Sequence, residues 1–182
     1  MNLEATFIKD LVVLTPDVFE DSRGYFFEGY NKNKMNTLGI TIDFVQDNQS
    51  FSQKGTLRGL HYQNPPFAQT KLVRVLHGEI MDVAVDLRRD SPTYGQHFGI
   101  RLTAGNKKQL LVPQGFAHGF SVLSETAVVL YKCDQFYNKA SEGGIRFDDL
   151  TLNIDWGMDL KEAIVSDKDL ILPDFATCNS QF

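Results

Sequence analysis

From residue 71 to residue 136, short strand-like segments follow one another with only brief turns between them. Lys71 to His77 alternates strictly, so that Lys71, Val73 and Val75 share one face of a strand. Further strands are predicted at 79–87, 97–103, 109–112, 122–123 and 127–136, with a hairpin turn at 104–106. This spacing is typical of a closed or double-sheet antiparallel structure, which predicts an all-β fold.

The N-terminal part of the chain fits the same class. Residues 7–14 and 42–51 read as strands, and the Asp21-Ser22-Arg23-Gly24 turn predicts a hairpin. Residues 31–38 have helical spacing, and Gly39 would end that helix. Two further short helices are expected at 147–152 and 168–172. The chain should therefore be mostly sheet with a few short helices.

Composition excludes several classes of protein. The 182 residues contain no Pro-, Gly- or Ser-rich linker, so we expect a single domain spanning 1–182. Lys and Arg total 18 against 23 Asp and Glu, and a net charge of -5 argues against a nucleic-acid binder. No apolar run approaches the roughly 18 residues of a membrane span, and no targeting segment is recognised. With only Cys133 and Cys178, we expect free thiols and a cytoplasmic location.

The stretch from Thr56 to Gln63 is the first candidate for chemistry. It sets Arg58 and His61 three residues apart inside an apolar strand. Histidine titrates near pH 6.5, so a small shift can leave it neutral and able to accept a proton. A lone strand histidine is more often structural than catalytic. Strict alternation also puts Arg58 and His61 on opposite faces, unless Gly59 carries a bulge or the arginine reaches around an edge.

A second motif, Pro113-x-Gly115-x-x-His118, has the spacing of the second half of the cupin signature, in which a turn presents a histidine to the mouth of a small barrel. A metal-binding cupin also needs a His-x-His pair and a glutamate earlier in the chain. This sequence has His61-Tyr62-Gln63 at that place. Metal sites usually use three protein ligands, so we expect the barrel mouth to hold no metal.

Taken together, these motifs resemble the dTDP-4-dehydrorhamnose 3,5-epimerases, dimeric jelly-roll proteins related to the cupins. The resemblance runs nearly end to end, and seven ordered motifs carry it: Asp21-x-Arg23-Gly24-x-Phe26-x-Glu28, Gln46-Asp47-Asn48, Leu57-Arg58-Gly59-Leu60-His61, Lys71-Leu72-Val73, Pro113-x-Gly115-x-x-His118, Tyr131-x5-Tyr137 and Ser166-Asp167-Lys168-Asp169. Family members often carry proline at position 139 and tryptophan at 147, where this chain has Lys139 and Phe147. We expect these two departures to tune which sugar or base is accepted.

The resemblance implies a cupin-type double-stranded β-helix (jelly roll) and a cofactor-free isomerase. In this family the substrate is dTDP-4-dehydro-6-deoxyglucose, and inversion at carbons 3 and 5 gives dTDP-4-dehydrorhamnose for dTDP-rhamnose biosynthesis. His61 matches the family's base, Tyr131 its acid and Asp169 the carboxylate partner of the histidine. From the residues alone, Asp167 is an alternative partner, and Ser166-x-x-Asp169 also resembles a capping box.

The remaining family positions imply a site for a sugar nucleotide. Arg58, Lys71, His118 and Lys168 would supply cationic donors to the sugar diphosphate, and Tyr137 would stack on thymine. The other matching positions expected to bind substrate are Arg23, Glu28, Gln46, Asn48 and Glu142. The family also implies a homodimer. We expect the apolar segment 7–14 to add to a partner's sheet.

Two other functions compete with double epimerisation. An epimerase that inverts only carbon 3 or carbon 5 of a related nucleotide deoxysugar would need the same His61 and Tyr131. A non-catalytic cupin that binds a nucleotide sugar would need neither. A metal-dependent cupin oxygenase is disfavoured, because position 63 carries no second histidine and no carboxylate lies at the spacing of a metal ligand.

Overall fold

Two antiparallel sheets face each other across one core in the computed structural model, which describes residues 1–182. The strands are β1 Asn2–Ala5, β2 Val12–Thr15, β3 Phe19–Asp21, β4 Gly24–Phe26, β5 Gln46–Gln53, β6 Leu57–Gln63, β7 Lys71–His77, β8 Glu79–Asp86, β9 His97–Thr103, β10 Gln109–Val112, β11 Phe116–Val122, β12 Thr126–Cys133 and β13 Glu142–Gly144. The two α-helices are α1 Lys32–Thr37 and α2 Asp167–Leu170, and short 3-10 turns lie at Lys139–Ser141, Leu160–Glu162 and Phe175–Thr177.

The larger sheet has six strands in the order β1-β2-β10-β7-β12-β5, and the smaller has five in the order β13-β6-β11-β8-β9. β3 and β4 form a separate hairpin. Alternate side chains of both sheets point inward, and Val73, Val129, Ile80 and Phe120 belong to the buried cluster between them. Two facing antiparallel sheets with few helices confirm the predicted all-β, jelly-roll class.

The outer face of the five-stranded sheet is covered by the C-terminal third of the chain. Trp156 is buried there against the outward side chains of β6 and β8, and its indole N–H donates to the Phe147 carbonyl at 2.8 Å. The outer face of the six-stranded sheet is covered only in part, by α1 through Met35. Phe51 and Leu76 remain exposed on that face. The chain therefore covers one sheet and leaves much of the other open.

Several segment predictions are confirmed. β7, β9 and β10 have the predicted bounds, the hairpin at residues 21–24 is present, and α1 begins after its N-cap Asn31 and ends before Gly39, whose φ is +81°. The strand predicted at 42–51 lies later, at Gln46–Gln53, and the strand predicted at 122–123 begins at Phe116.

The N-terminal strand prediction is wrong. Residues 7–14 do not form one strand, because the Thr6 hydroxyl bonds to the Leu11 carbonyl at 2.8 Å and Asp10 adopts φ +70°, which turns the chain back. β1 and β2 flank this turn and pair with each other. The segment cannot add to a partner's sheet as an extended strand.

Two further expectations are wrong. Residues 104–106 do not join a hairpin, because β9 pairs with β8 in one sheet and β10 pairs with β2 and β7 in the other. Residues 147–152 form turns instead of a helix, because the Asp149 side chain accepts the N–H groups of Thr151 and Leu152, both at 2.9 Å. The longest helix, α1, has six residues, so none of the helices could span a membrane.

Candidate active site

A cavity of about 520 Å³ opens between the two sheets, bounded on one side by the segment that leads into α2. Its polar lining comes from both sheets and from that segment. The side chains that bear on chemistry are Ser50, Arg58, His61, Lys71, His118, Tyr131, Lys168 and Asp169. A smaller cavity of about 190 Å³ shares His61, Lys71 and Tyr131 with it and extends to Tyr137. The three shared residues mark the place where the two cavities meet.

Gly59 explains how Arg58 and His61 face the same cavity. The pairing of β6 with β11 changes register here: His61 lies opposite His118, but Arg58 lies opposite Phe120. Gly59 has φ +120°, and a Cβ on it would lie 2.7 Å from the Gly119 Cα. Only glycine fits this position, and the irregularity it permits removes the conflict with strict strand alternation.

His61 lies beside Asp169. Its Nε2 is 2.7 Å from the Asp169 Oδ1, while the Gly59 N–H donates to Oδ2 at 3.2 Å. A carboxylate accepts hydrogen bonds, so this contact places the ring hydrogen on Nε2 and leaves Nδ1 as the basic nitrogen. The imidazole is one-third exposed, so substrate can reach it.

Asp169 is held in place by the helix that carries it. The Ser166 hydroxyl caps α2 by accepting the Asp169 N–H at 3.2 Å, while the Asp169 side chain turns to His61. Burial acts to raise the pKa of Asp169, but the His61 contact, the Gly59 N–H and Ser166 outweigh it and hold the pKa below its usual range. Asp167 is exposed on the same helix, so the carboxylate beside His61 is Asp169.

Tyr131 and Lys71 lie on the opposite wall, on β12 and β7 of the six-stranded sheet. Burial raises the pKa of Tyr131, with Arg58 acting in the other direction, so the phenol stays protonated at neutral pH. Burial lowers the pKa of Lys71, and the charges of Cys133, Asp82 and Glu142 oppose that shift. The contacts of lining histidine and lysine side chains with carboxylates are His61–Asp169, His118–Asp82 and Lys168–Glu142. Arg58 and Lys71 have no carboxylate partner.

His118 forms the second histidine–carboxylate pair of the cavity. Its Nε2 is 2.8 Å from the Asp82 Oδ1, and both side chains are buried. Asp82 Oδ2 has no hydrogen-bond partner. Asp82 was not among the predicted site residues. The sequence does show that Asp82 is unusual, because this acidic residue lies on the same face of the predicted strand as the apolar residues Ile80 and Ala84.

At the mouth, Tyr137, Glu142 and Lys168 form one contact group. The Tyr137 hydroxyl donates to Glu142 Oε2 at 3.1 Å, and Lys168 Nζ donates to Oε1 at 2.5 Å. Gln46 and Asn48 line the smaller cavity beside them, and the Tyr137 N–H donates to the Gln46 amide oxygen at 3.3 Å. Tyr137 is more than half exposed, so one face of its ring is available to a ligand.

Arg23 and Glu28 lie elsewhere. Arg23 is at the tip of the β3–β4 hairpin, where it pairs with Asp21 at 2.6 Å, and its side chain is 88% exposed. Glu28 contacts Lys34 and accepts a hydrogen bond from Asn31 at 2.9 Å. Neither side chain lines either cavity. The chain therefore brings together all of the predicted site residues except these two.

No group of three or more His, Cys, Asp or Glu side chains is arranged to hold a metal ion. At position 63, where a metal-binding cupin carries its second histidine, Gln63 is buried and directs its amide to the backbone of the mouth. Gln63 was also absent from the predicted site residues.

Comparison with known proteins gives one consistent family. The family model described as dTDP-4-dehydrorhamnose 3,5-epimerase matches residues 5–177. A curated protein of that name from Shigella flexneri is 49% identical over 171 residues, covering 93% of each chain. The crystal structure of the epimerase from Elizabethkingia anophelis NUHP1 matches with a TM-score of 0.93 and 54% identity over 97% of each chain. A Legionella pneumophila epimerase in complex with dTDP-4-keto-L-rhamnose matches with a TM-score of 0.92 and 46% identity, covering 97% of this chain and 93% of that chain.

Proposed function

Because the chain belongs to the dTDP-4-dehydrorhamnose 3,5-epimerase family, we propose that it converts dTDP-4-dehydro-6-deoxyglucose to dTDP-4-dehydrorhamnose by inverting carbons 3 and 5. The observation that carries the proposal is the placement of His61 and Tyr131. They project into one cavity from opposite sheets, with Asp169 behind the histidine. Inversion requires a proton to leave one face of the sugar ring and return on the other, and this arrangement supplies a group on each side.

The ketone at carbon 4 makes the protons on the neighbouring carbons removable. We assign His61 Nδ1 as the base, since Asp169 accepts the Nε2 hydrogen and stabilises the imidazolium that forms. The Tyr131 phenol then protonates the carbon from the other face. Lys71 lies where the cavities meet, beside both groups, and its ammonium suits the negative charge that develops on the ketone oxygen. No step requires a metal or an organic cofactor.

The rest of the substrate is assigned to the other predicted side chains. Arg58, His118 and Lys168 give cationic or N–H donors for the diphosphate and the sugar oxygens. Tyr137 offers its exposed ring for stacking on thymine, and Gln46, Asn48 and Glu142 line the cavity beside it. Residues 1–182 act as one domain in this proposal. The two thiols suit the reducing cytoplasm as the place of work.

We further infer that the protein works as a homodimer. The β3–β4 hairpin exposes Phe19, Tyr25 and Phe26, and the six-stranded sheet exposes Phe51 and Leu76. An open apolar face of this kind is typical of an interface between copies. The position of Arg23 and Glu28, outside their own chain's cavities, is explained if the hairpin of one copy reaches the cavity of the other.

Turnover in deuterated water tests the reaction. The enzyme is incubated with dTDP-4-keto-6-deoxyglucose, and NMR and mass analysis report which carbons exchange and which invert. Double epimerisation predicts deuterium at carbons 3 and 5 together with the rhamno-configured product. Exchange and inversion at only one carbon would instead identify a single-carbon epimerase, and no exchange at all would favour a binding protein.

Co-expression of two inactive variants tests the dimer. If Arg23 serves the partner's cavity, Arg23→Ala and His61→Ala chains complement each other, because one of the two sites in each heterodimer is intact. Random pairing then restores about one quarter of wild-type turnover. A monomeric mass by light scattering, or no recovery in the mixture, would contradict the shared site.

A further inference from the structure

Gln63 is a buried amide at the inner end of the mouth, and the proposed chemistry does not use it. It is the last residue of β6, two positions after His61, and only 5% of it is exposed. Its Nε2 donates to the Phe67 carbonyl at 2.6 Å and to the Phe136 carbonyl at 3.2 Å. Its Oε1 accepts the Asn138 N–H at 2.7 Å. Both N–H donors and the oxygen are therefore occupied by backbone groups.

Two of these bonds bracket Tyr137. Phe136 and Asn138 are its neighbours in the chain, so Gln63 fixes the peptide groups on both sides of Tyr137. The Tyr137 N–H is held separately by Gln46, and its hydroxyl by Glu142. The ring itself remains more than half exposed. The loop thus has a fixed backbone and a free aromatic face.

An amide is the side chain that this place requires. The Phe136 carbonyl needs a donor and the Asn138 N–H needs an acceptor, and a glutamine supplies both from one planar group. A flipped amide would set its N–H against another N–H, so one orientation is favoured. Leaving the buried Gln63 amide without these partners costs about 1–3 kcal/mol, which makes displacement of the loop unfavourable.

We propose that Gln63 is a positioning residue for the nucleobase: it holds Tyr137 in its stacking position before the ligand arrives. The inference rests on the proposed role of Tyr137 as the wall that stacks on thymine. When a loop residue becomes ordered only on binding, the cost of ordering it reduces the net free energy of binding. A side chain that is already in position does not carry this cost. Gln63 lines the smaller cavity, but backbone groups occupy all the polar atoms of its amide. It therefore raises affinity for the nucleoside end of the substrate by positioning Tyr137 and not by a hydrogen bond to the substrate.

The direct test compares Gln63→Met with Asn64→Leu. Methionine keeps the length of glutamine and removes its polar atoms. Asn64 is a matched control, because it is also 5% exposed and its amide also holds two backbone groups, the Asn179 carbonyl and the Gln181 N–H, in the C-terminal segment. Both variants lose buried hydrogen bonds and should melt at a lower temperature than wild type. Only Gln63→Met is expected to weaken dTDP binding, by about tenfold, the size of a lost stacking contact.

Two further readouts separate positioning from general damage. The inhibition constant of inorganic pyrophosphate, which has no base to stack, should change less than about twofold in Gln63→Met. For dTDP-4-keto-6-deoxyglucose, KM should rise while kcat stays within about threefold, since uniform binding is lost and the reacting groups are untouched. A fall in kcat with unchanged dTDP affinity would overturn the proposal.

A double-mutant cycle completes the test. Tyr137→Ala should weaken dTDP binding about tenfold in the wild-type background and less than about threefold in Gln63→Met, because the wall is already displaced. Additive effects would overturn the positioning role and leave stacking by Tyr137 intact. No effect of Tyr137→Ala in either background would contradict the proposed stacking itself. If Gln63→Met does not fold, Gln63→Glu, which keeps the acceptor and loses both donors, enters the same cycle with the same criterion.

Discussion

His61 and His118 lie opposite each other on β6 and β11, face the same cavity and each contact a carboxylate through Nε2, yet their surroundings differ. The His61 side chain is 33% exposed and the His118 side chain 7%. Asp169 comes from α2 at the rim, while Asp82 comes from β8 in the middle of the sheet. One pair is assembled from distant segments at the edge of the cavity, and the other is built into the sandwich.

The two carboxylates also differ in their second oxygen. Asp169 Oδ2 accepts the Gly59 N–H, whereas Asp82 Oδ2 has no partner. Asp169 would therefore keep a hydrogen bond if its histidine were removed, and Asp82 would keep none. The same side-chain pair can therefore hold a donor in place where the carboxylate is built into the sheet, and it suits proton transfer where substrate reaches the histidine, as we propose for His61.

The largest difference between the pairs should appear in turnover. His61→Ala removes the proposed base, so we expect kcat to fall by about 10³-fold or more and solvent deuterium uptake to stop, since no enolate forms. His77→Ala, an exposed histidine at the end of β7, is the control. Steady-state kinetics and NMR in deuterated water measure both effects. Near-normal epimerisation by His61→Ala would show that His61 is not the base, and the two pairs would then not differ in their effect on turnover.

Tyr131→Phe tests the wall opposite the His61 pair. The change keeps the ring and removes the hydroxyl, so KM should stay within a few-fold while epimerisation falls by about 10²-fold. Deuterium wash-in with retained configuration is expected to persist, because His61 can remove a proton and return one to the same face. Wild-type inversion by this variant would move the acid role to another residue, with His118 and Tyr137 the next to examine.

Loss of stability should be larger when the His118 pair is broken than when the His61 pair is broken, the reverse of the order expected for turnover. His118→Ala leaves Asp82 buried with neither oxygen paired, which we expect to lower the free energy of unfolding by about 3 kcal/mol. His61→Ala should cost only about 1 kcal/mol, because Asp169 keeps the Gly59 N–H and gains access to water. Urea unfolding at neutral pH measures both values. A larger loss in His61→Ala would contradict the structural role assigned to the His118 pair.

Much of this comparison was predictable from the sequence, but not all of it. Strand alternation put Lys71 on one face with Val73 and Val75, the family resemblance implied Tyr131 as the acid, and the cupin-like motif assigned His118 to the barrel. The sequence could not place Asp82, because strand parity shows which face a residue takes and not which residue of the next strand it meets. The choice between Asp167 and Asp169 depended on the direction in which a four-residue helix faces, and such a short helix shows no periodicity.

The failed predictions have a common cause. Apolar runs such as residues 7–14 and turn-like residues such as 104–106 were read from local patterns, yet side-chain bonds and the change of sheet decided their shape. At Gly59 the conflict between alternation and a shared pocket left two alternatives, an irregular strand at the glycine or an arginine that reaches around an edge. The register shift between β6 and β11 selects the first. Local rules thus located most strands, and they failed where a side-chain hydrogen bond or a change of sheet decided the path of the chain.

A smaller effect is expected in the pH dependence of stability. The pKa of Asp169 is lowered in the folded protein, so its ionised form stabilises the fold above the unfolded value of about 3.8, and this contribution is lost as the pH falls through the folded value. The free-energy difference between wild type and Asp169→Asn should therefore shrink as the pH falls below about 4, through the folded value of Asp169. Asp167→Asn, exposed on the same helix, is the control, and its difference from wild type should not shrink in this way. An Asp169→Asn difference that stayed unchanged in strongly acidic solution would contradict the pairing.

The smallest effect should come from removing metal ions. Two imidazoles with carboxylates behind them resemble the way metal sites are supported, so an ion shared between His61 and His118 is the alternative to test. Such an ion would need a third protein ligand. The side chain in the expected place is Gln63, whose amide is fully occupied by backbone groups, and no further His, Cys, Asp or Glu side chain is arranged to complete the site. Turnover after exhaustive chelation should therefore stay within about twofold of the untreated enzyme, and loss of activity that returns on adding a metal would show that the two pairs hold an ion together.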